Sequence, residues 1–161
     1  MSPKPQIYDF AQQLVTSKEY FDRSTRVLEE ADSGFRPKPD MMSVAGQIAH
    51  VAHTLNWFVQ GVTRPEGYDF DFARQAQEVE AVTSIAAARK NLDEAFAAAI
   101  AFLRSKSAEE IAAPMPPGPI MGGQPLSDIV WAMVEHTAHH RGALTVYSRS
   151  LGKVPPMPYM G

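Results

Sequence analysis

The sequence predicts an all-α fold, a four-helix bundle, and three observations carry that reading. Four long segments repeat their apolar residues at helical spacing. No stretch of useful length alternates apolar and polar residues as a half-buried strand would, apart from a short hairpin candidate around Met115 to Met121. The third and fourth segments are separated by a long crossover in which proline and glycine forbid a helix, and four helices with one long connection are a known bundle arrangement.

The first helix is expected from about Ile7 to about Ala31, because Phe10, Leu14, Phe21 and Leu28 recur on one face with Arg, Lys and Glu between them. Gly34, Pro37 and Pro39 then break the chain. Ser43 is a fitting N-cap for a second helix that reaches about Gly61 to Thr63, where Gly61 and Pro65 end it. Residues 64–73 read as an ordered loop whose three aromatics pack on something. A third helix is expected from about Ala76 to about Leu103, with an alanine-rich middle (Ala86 to Ala88, Ala97 to Ala99) that allows close helix contact. Residues 107–126 carry Pro114, Pro116, Pro117, Gly118, Pro119, Gly122, Gly123 and Pro125, and a connection this long inside a compact domain is often functional. Ser127 is placed as the N-cap of a fourth helix that ends at about Leu151, with Gly152 as its C′ residue. The proline-rich tail is expected to be extended and laid against the bundle.

A chain of 161 residues suits one domain with one core, so residues 1–161 are read as a single unit. The net charge of −3 gives no basis for binding nucleic acid or an anionic membrane. There are no cysteines, which excludes disulfides, thiolate metal sites and a cysteine nucleophile. No basic start is followed by an apolar run, and no stretch approaches the about 18 apolar residues of a membrane span. The cytoplasm is the expected location.

The chemistry concentrates in histidines. His136 and His140 lie one turn apart in Glu135-His-Thr-Ala-His-His-Arg-Gly142. With His136 at zero and about 100° per residue, His140 falls at roughly 40°, between Ile129 and Tyr147 at roughly 20° and Met133 and Leu151 at roughly 60°. Two imidazoles on a core-facing stripe are unfavourable unless their nitrogens are satisfied, and a metal ion satisfies them directly. His50, on the second helix, borders the apolar arc of Val44, Val51 and Leu55 and is the better third ligand; His53 and His139 turn further towards solvent. The same histidines would also fit hydrogen-bonded core positions. Three imidazoles would accept zinc, nickel, iron or manganese and leave a position open.

Several enzyme classes lack their motifs. Thr137 follows His136 where a zincin needs Glu, and neither a phosphate-binding Gly-Lys loop nor a Gly-x-Ser-x-Gly elbow is present. The Glu-x-x-His pairs of di-iron bundles are missing too. No general base stands out, although Asp69, Asp71 and Tyr159 are placed where they could reach the site, so the catalytic residues stay unassigned.

His136-x-x-His-His140-Arg-Gly142, the closing Leu151-Gly152 with its Pro-Pro-x-Pro-Tyr tail, and His50 seven residues before Trp57 together resemble the DinB/YfiT-like superfamily over nearly the whole chain. The resemblance implies an up-down-down-up bundle, a divalent metal on His50, His136 and His140, and dimers formed through the helices. It also implies transferase or isomerase chemistry that uses a small thiol as co-substrate. Two positions depart from the family: Ala143 stands where Gln is common and Thr137 where Glu is common. The functional expectation is a metal-dependent enzyme acting on a small molecule, with water or a small thiol as nucleophile. The alternative is a non-catalytic metal- or ligand-binding protein of the stress response.

Overall fold

The computed structural model describes residues 9–160, and every regular element among them is helical. Helix α1 spans Phe10–Thr25, α2 Val44–Thr63, α3 Phe72–Glu80, α4 Ile85–Arg104, α5 Ala108–Ala112 and α6 Asp128–Ser150, with a 3-10 turn at Glu30–Asp32. The four long helices, α1, α2, α4 and α6, close into a ring: α1 and α2 each pack against both α4 and α6. The core between them is built from Leu14 and Phe21 of α1, Ile48, Val51 and Leu55 of α2, Leu92 and Phe96 of α4, and Ile129, Met133, Leu144 and Tyr147 of α6. No helix among the described residues is long and apolar enough to cross a membrane.

Local chemistry explains where the helices begin and end. α1 stops at Thr25, short of the expected Ala31, and its expected start at Ile7 lies outside the described residues. The Thr25 carbonyl accepts from Arg89 Nη2 at 2.9 Å, and the Glu29 amide that would continue the helix donates to Asp32 Oδ2 at 2.7 Å. The chain therefore leaves the helix for the short turn. α2 begins as expected, with the Gly46 amide donating to Ser43 Oγ at 3.0 Å.

The expected third helix is two helices. Asp71 caps α3, so this helix begins inside what the sequence suggests is a loop. Ser84 caps α4, and the next amides are held by α1's following turn: Ile85 donates to Ser33 Oγ at 3.0 Å and Ala86 to Glu30 Oε2 at 2.9 Å. These side-chain acceptors satisfy amides that a continuous helix would have satisfied with its own carbonyls, and so they allow the break. Small residues then bring α4 against α2: Ala88, Ala95 and Ala99 are buried on one, Ala45, Ala49 and Ala52 on the other.

The crossover contains α5, closed by a capping box of Ser107 and Glu110, and a wider hairpin-like loop than expected, pinned by a bridge between Pro114 and Pro125. Ser127 precedes α6 as expected but makes no capping bond. At the far end Gly152 adopts φ 74°, its amide donates to Arg149 O at 3.0 Å, and Lys153 N donates to Ser148 O at 2.9 Å. That pair of bonds is a Schellman motif, and it requires a left-handed residue at Gly152.

The loop after α2 is seated by a close approach. A Cβ at Gly61 would clash with the Tyr68 ring, and Tyr68 packs tilted against Trp57 with centroids 4.5 Å apart. Gly61→Ala is expected to expel Tyr68 from this seat and cost about 1–3 kcal/mol, the usual scale of overpacking. Thermal denaturation with near-UV circular dichroism would read both the stability loss and the disturbed Trp57 environment.

Candidate metal centre

α2 and α6 pack side by side, and this brings three imidazoles together. His50, His136 and His140 offer ring nitrogens that all lie within 4.8 Å of one another. His136 Nε2 is 3.3 Å from His50 Nε2 and 3.2 Å from His140 Nε2. Two nitrogens held about 2.1 Å from one ion at angles between octahedral and tetrahedral stand about 3.0–3.4 Å apart, so these separations fit a shared cation. His139 is exposed on the outer side of α6. His53 is half-buried and faces Glu78, with Nε2 3.6 Å from Oε2, rather than joining the three.

The protonation of His140 follows from a chain of hydrogen bonds that starts at a backbone carbonyl. The Tyr147 hydroxyl donates to Met42 O at 3.0 Å, so it accepts from Gln47 Nε2 at 3.3 Å. Gln47 thereby turns its Oε1 to His140 Nδ1, which must donate the proton. The Nε2 of His140 is left with its lone pair facing the other two rings. This is how a ligating histidine is fixed by an outer partner. His136 Nδ1 is buried and has no protein hydrogen-bond partner among the described residues. Its Nε2 also lies 3.4 Å from Thr54 Oγ1.

Burial, reinforced by the neighbouring imidazoles, pushes His136 down to about 4 and His140 down to about 3; His50 is lowered for the same reasons. All three rings are therefore neutral at pH 7, with lone pairs free for a cation. The depressed values also set a pH dependence. Well above the ordinary imidazole value of about 6.5, neither the folded nor the unfolded chain is protonated at these sites. As pH falls from there towards 4, the unfolded chain binds protons that the folded one refuses, so stability is lost with acid. The melting temperature of the metal-free protein is expected to fall between pH 7 and pH 4.5, and to fall less in a His136→Leu/His140→Leu variant. An equal slope in both would show that other groups govern acid sensitivity.

A cavity of about 310 Å³ opens beside the cluster, with His50 and His136 in its wall together with Thr54, Trp57, Phe72 and Gln75. A larger one, about 650 Å³, lies between α1 and the opposite side of α6 and contains none of the three histidines. Size alone does not locate chemistry, and the smaller cavity is the one that reaches the imidazoles.

The acid and phenol groups considered from the sequence are elsewhere. Asp69 pairs with Arg74, Asp71 caps α3, and Tyr159 packs edge-on against Tyr20 in the wall of the larger cavity. None of the three lines the cavity beside the histidines. The groups missing from the sequence reading are Gln47, Tyr147 and Thr54. Gln47 is, with His50, one of two polar side chains in the otherwise apolar run Val44–Ala52, and Tyr147 is the one phenol on the histidine stripe of α6. Those two anomalies were the available signals. Thr137 donates to Met133 O at 2.7 Å and contributes nothing to the cluster.

The residues fit a divalent cation by the chemistry of the donor set: three neutral nitrogens converge, and one of them is fixed in the ligating tautomer. No curated protein matches the chain in sequence. The family model of the DinB superfamily matches residues 13–144, from within α1 to the part of α6 just beyond His140, and so takes in all three histidines. With that match, the helical architecture and the clustered histidines in agreement, the chain belongs to the DinB superfamily.

Proposed function

We propose that this protein is a metal-dependent enzyme whose divalent ion is held by His50, His136 and His140. The observation that carries the reading is the convergence of three Nε2 atoms at the edge of a cavity large enough for a small molecule. Three protein ligands leave coordination positions open, as catalytic sites do. Zinc, nickel, iron and manganese all suit an all-imidazole set. The bound ion supplies Lewis-acid chemistry, making a water or a small thiol nucleophilic at neutral pH.

The chain's own residues prepare that chemistry. Gln47, held by Tyr147, keeps His140 turned with its lone pair inward. Thr54 lines the cavity next to His136, where its hydroxyl can donate to a substrate oxygen or sulfur. Trp57 is fixed by its Nε1 bond to Asp69 O at 2.7 Å and lines the cavity beside the histidines.

Gln47→Leu removes the acceptor for His140 Nδ1 without touching a ligand. Metal affinity is expected to fall about 10–100-fold, the usual effect of losing the outer partner of a ligating histidine. Competition with a chromophoric chelator reads it. The function itself is tested by metal analysis of protein purified without added metal, followed by a screen of ester, amide and thiol-transfer substrates with the loaded enzyme. Stoichiometric metal and turnover that chelation abolishes are expected. Metal without turnover on any substrate would favour a non-catalytic binding role. A homodimer in the cytoplasm belongs to the same proposal, and sedimentation that gives only a 17.7 kDa monomer at high concentration would remove its dimer part.

A further inference from the structure

The cavity beside the imidazoles has a definite chemical character. Its walls are Trp57 and Phe72, ring centroids 6.3 Å apart, with Met42, Ala76 and Val79 completing an apolar lining. No lysine or arginine lines it. Its one carboxylate, Glu80, is engaged by Arg36 Nη2 at 3.4 Å, and His53 faces Glu78. Gln75 donates its amide to Asp69 O at 3.0 Å. Arg64 and Arg74 line a separate polar cleft beyond Trp57 and Gln75, where Arg74 pairs with Asp69 and Glu78. A charged group entering the cavity would lose water and find no uncommitted counter-charge among its side chains, so only an atom that reaches an ion on the three histidines would be compensated. A flat apolar body would instead lie against the Trp57 and Phe72 rings, which are tilted 53° to one another.

Resting on the metal-site reading for its chemistry, we propose that the part of the substrate seated in this cavity is an uncharged, largely apolar group with an aromatic or similarly flat body, placed by Trp57 and Phe72 so that its one polar atom meets Thr54 and the imidazoles. α3 is then the specificity element of the site. It supplies Phe72, Gln75, Ala76, Val79 and Glu80 to the cavity, and its helical contact is with α2. Side chains on its inner face can change the accepted group without touching the histidines.

The test uses two probes of one shape, benzamide and benzoate, titrated into chelator-treated protein at pH 7.5 and followed by Trp57 fluorescence and by NMR. Working without metal keeps direct carboxylate coordination out of the comparison. Benzamide is expected to bind at least tenfold more tightly than benzoate. Phe72→Ala, at a half-exposed wall residue, is expected to weaken benzamide at least fivefold. Ala76→Trp, which fills the cavity from an exposed position on α3, is expected to abolish binding while the circular dichroism spectrum stays unchanged. Benzoate binding as well as benzamide, or benzamide binding that survives Ala76→Trp, would overturn the proposal. Zinc binding is measured separately on the same preparation. Zinc uptake without benzamide binding defeats the cavity inference alone, and benzamide binding without zinc uptake defeats the metal reading alone.

Discussion

Replacing His140 with Ala is expected to lower metal affinity by more than the roughly 10–100-fold that loss of an outer partner costs. Two effects combine. One of three nitrogens is removed from a set whose members stand 3.2–3.3 Å from His136 Nε2, and the remaining pair cannot enclose an ion from three directions. Gln47 Oε1, buried and turned towards the lost ring, is also left unsatisfied, at a cost of about 1–3 kcal/mol to the fold. The variant should therefore remain folded, melt somewhat earlier and hold little metal. His50→Ala and His136→Ala should lose metal comparably, whereas His139→Ala and His53→Ala should retain most of it. Metal analysis of the five purified variants after equilibration with zinc checks the series. Full retention in His140→Ala with loss in His139→Ala would mean that the wrong face of α6 had been assigned.

Phe96→Ala should produce the converse result. Phe96 is fully buried on α4, in the centre of the ring of helices, and touches neither cavity nor cluster. Truncating a buried phenylalanine costs about 3–5 kcal/mol, part from lost transfer free energy and part from the cavity that remains. That is a large share of the roughly 5–15 kcal/mol that holds a typical domain together. Urea denaturation should show a lower midpoint with an unchanged slope. At temperatures where the variant is folded, its zinc affinity should match that of the wild type, because Phe96 belongs to neither helix that carries the histidines. A matched loss of metal affinity would show that the cluster depends on core packing as a whole.

Period and capping residues made much of this fold legible. The stripe of Ile129, Met133, His136, His140 and Leu144 put two imidazoles on the buried side of α6, and His140 is indeed 7% exposed there. Ser43 and Gly152 marked helix ends through short-range chemistry that depends on few distant residues. The errors came where distant side chains decide. α1 ends at Thr25 because Arg89, 64 positions away, takes its carbonyl. α4 starts at Ile85 because Ser33 and Glu30 accept its first amides. Alanine-rich periodicity runs straight through such a break. The site was legible to the same degree. The three histidines could be chosen from helix faces, but the Met42–Tyr147–Gln47–His140 chain joins two helices and could be drawn only once they were side by side.

The central claim is that three imidazoles share one ion, and anomalous diffraction from crystals grown with zinc tests it most directly. A single strong peak is expected about 2.0–2.2 Å from the Nε2 atoms of His50, His136 and His140, with at least one further position open to solvent or substrate. A peak between His53 and Glu78 with none at the three histidines, or no peak at all at saturating zinc, would contradict it.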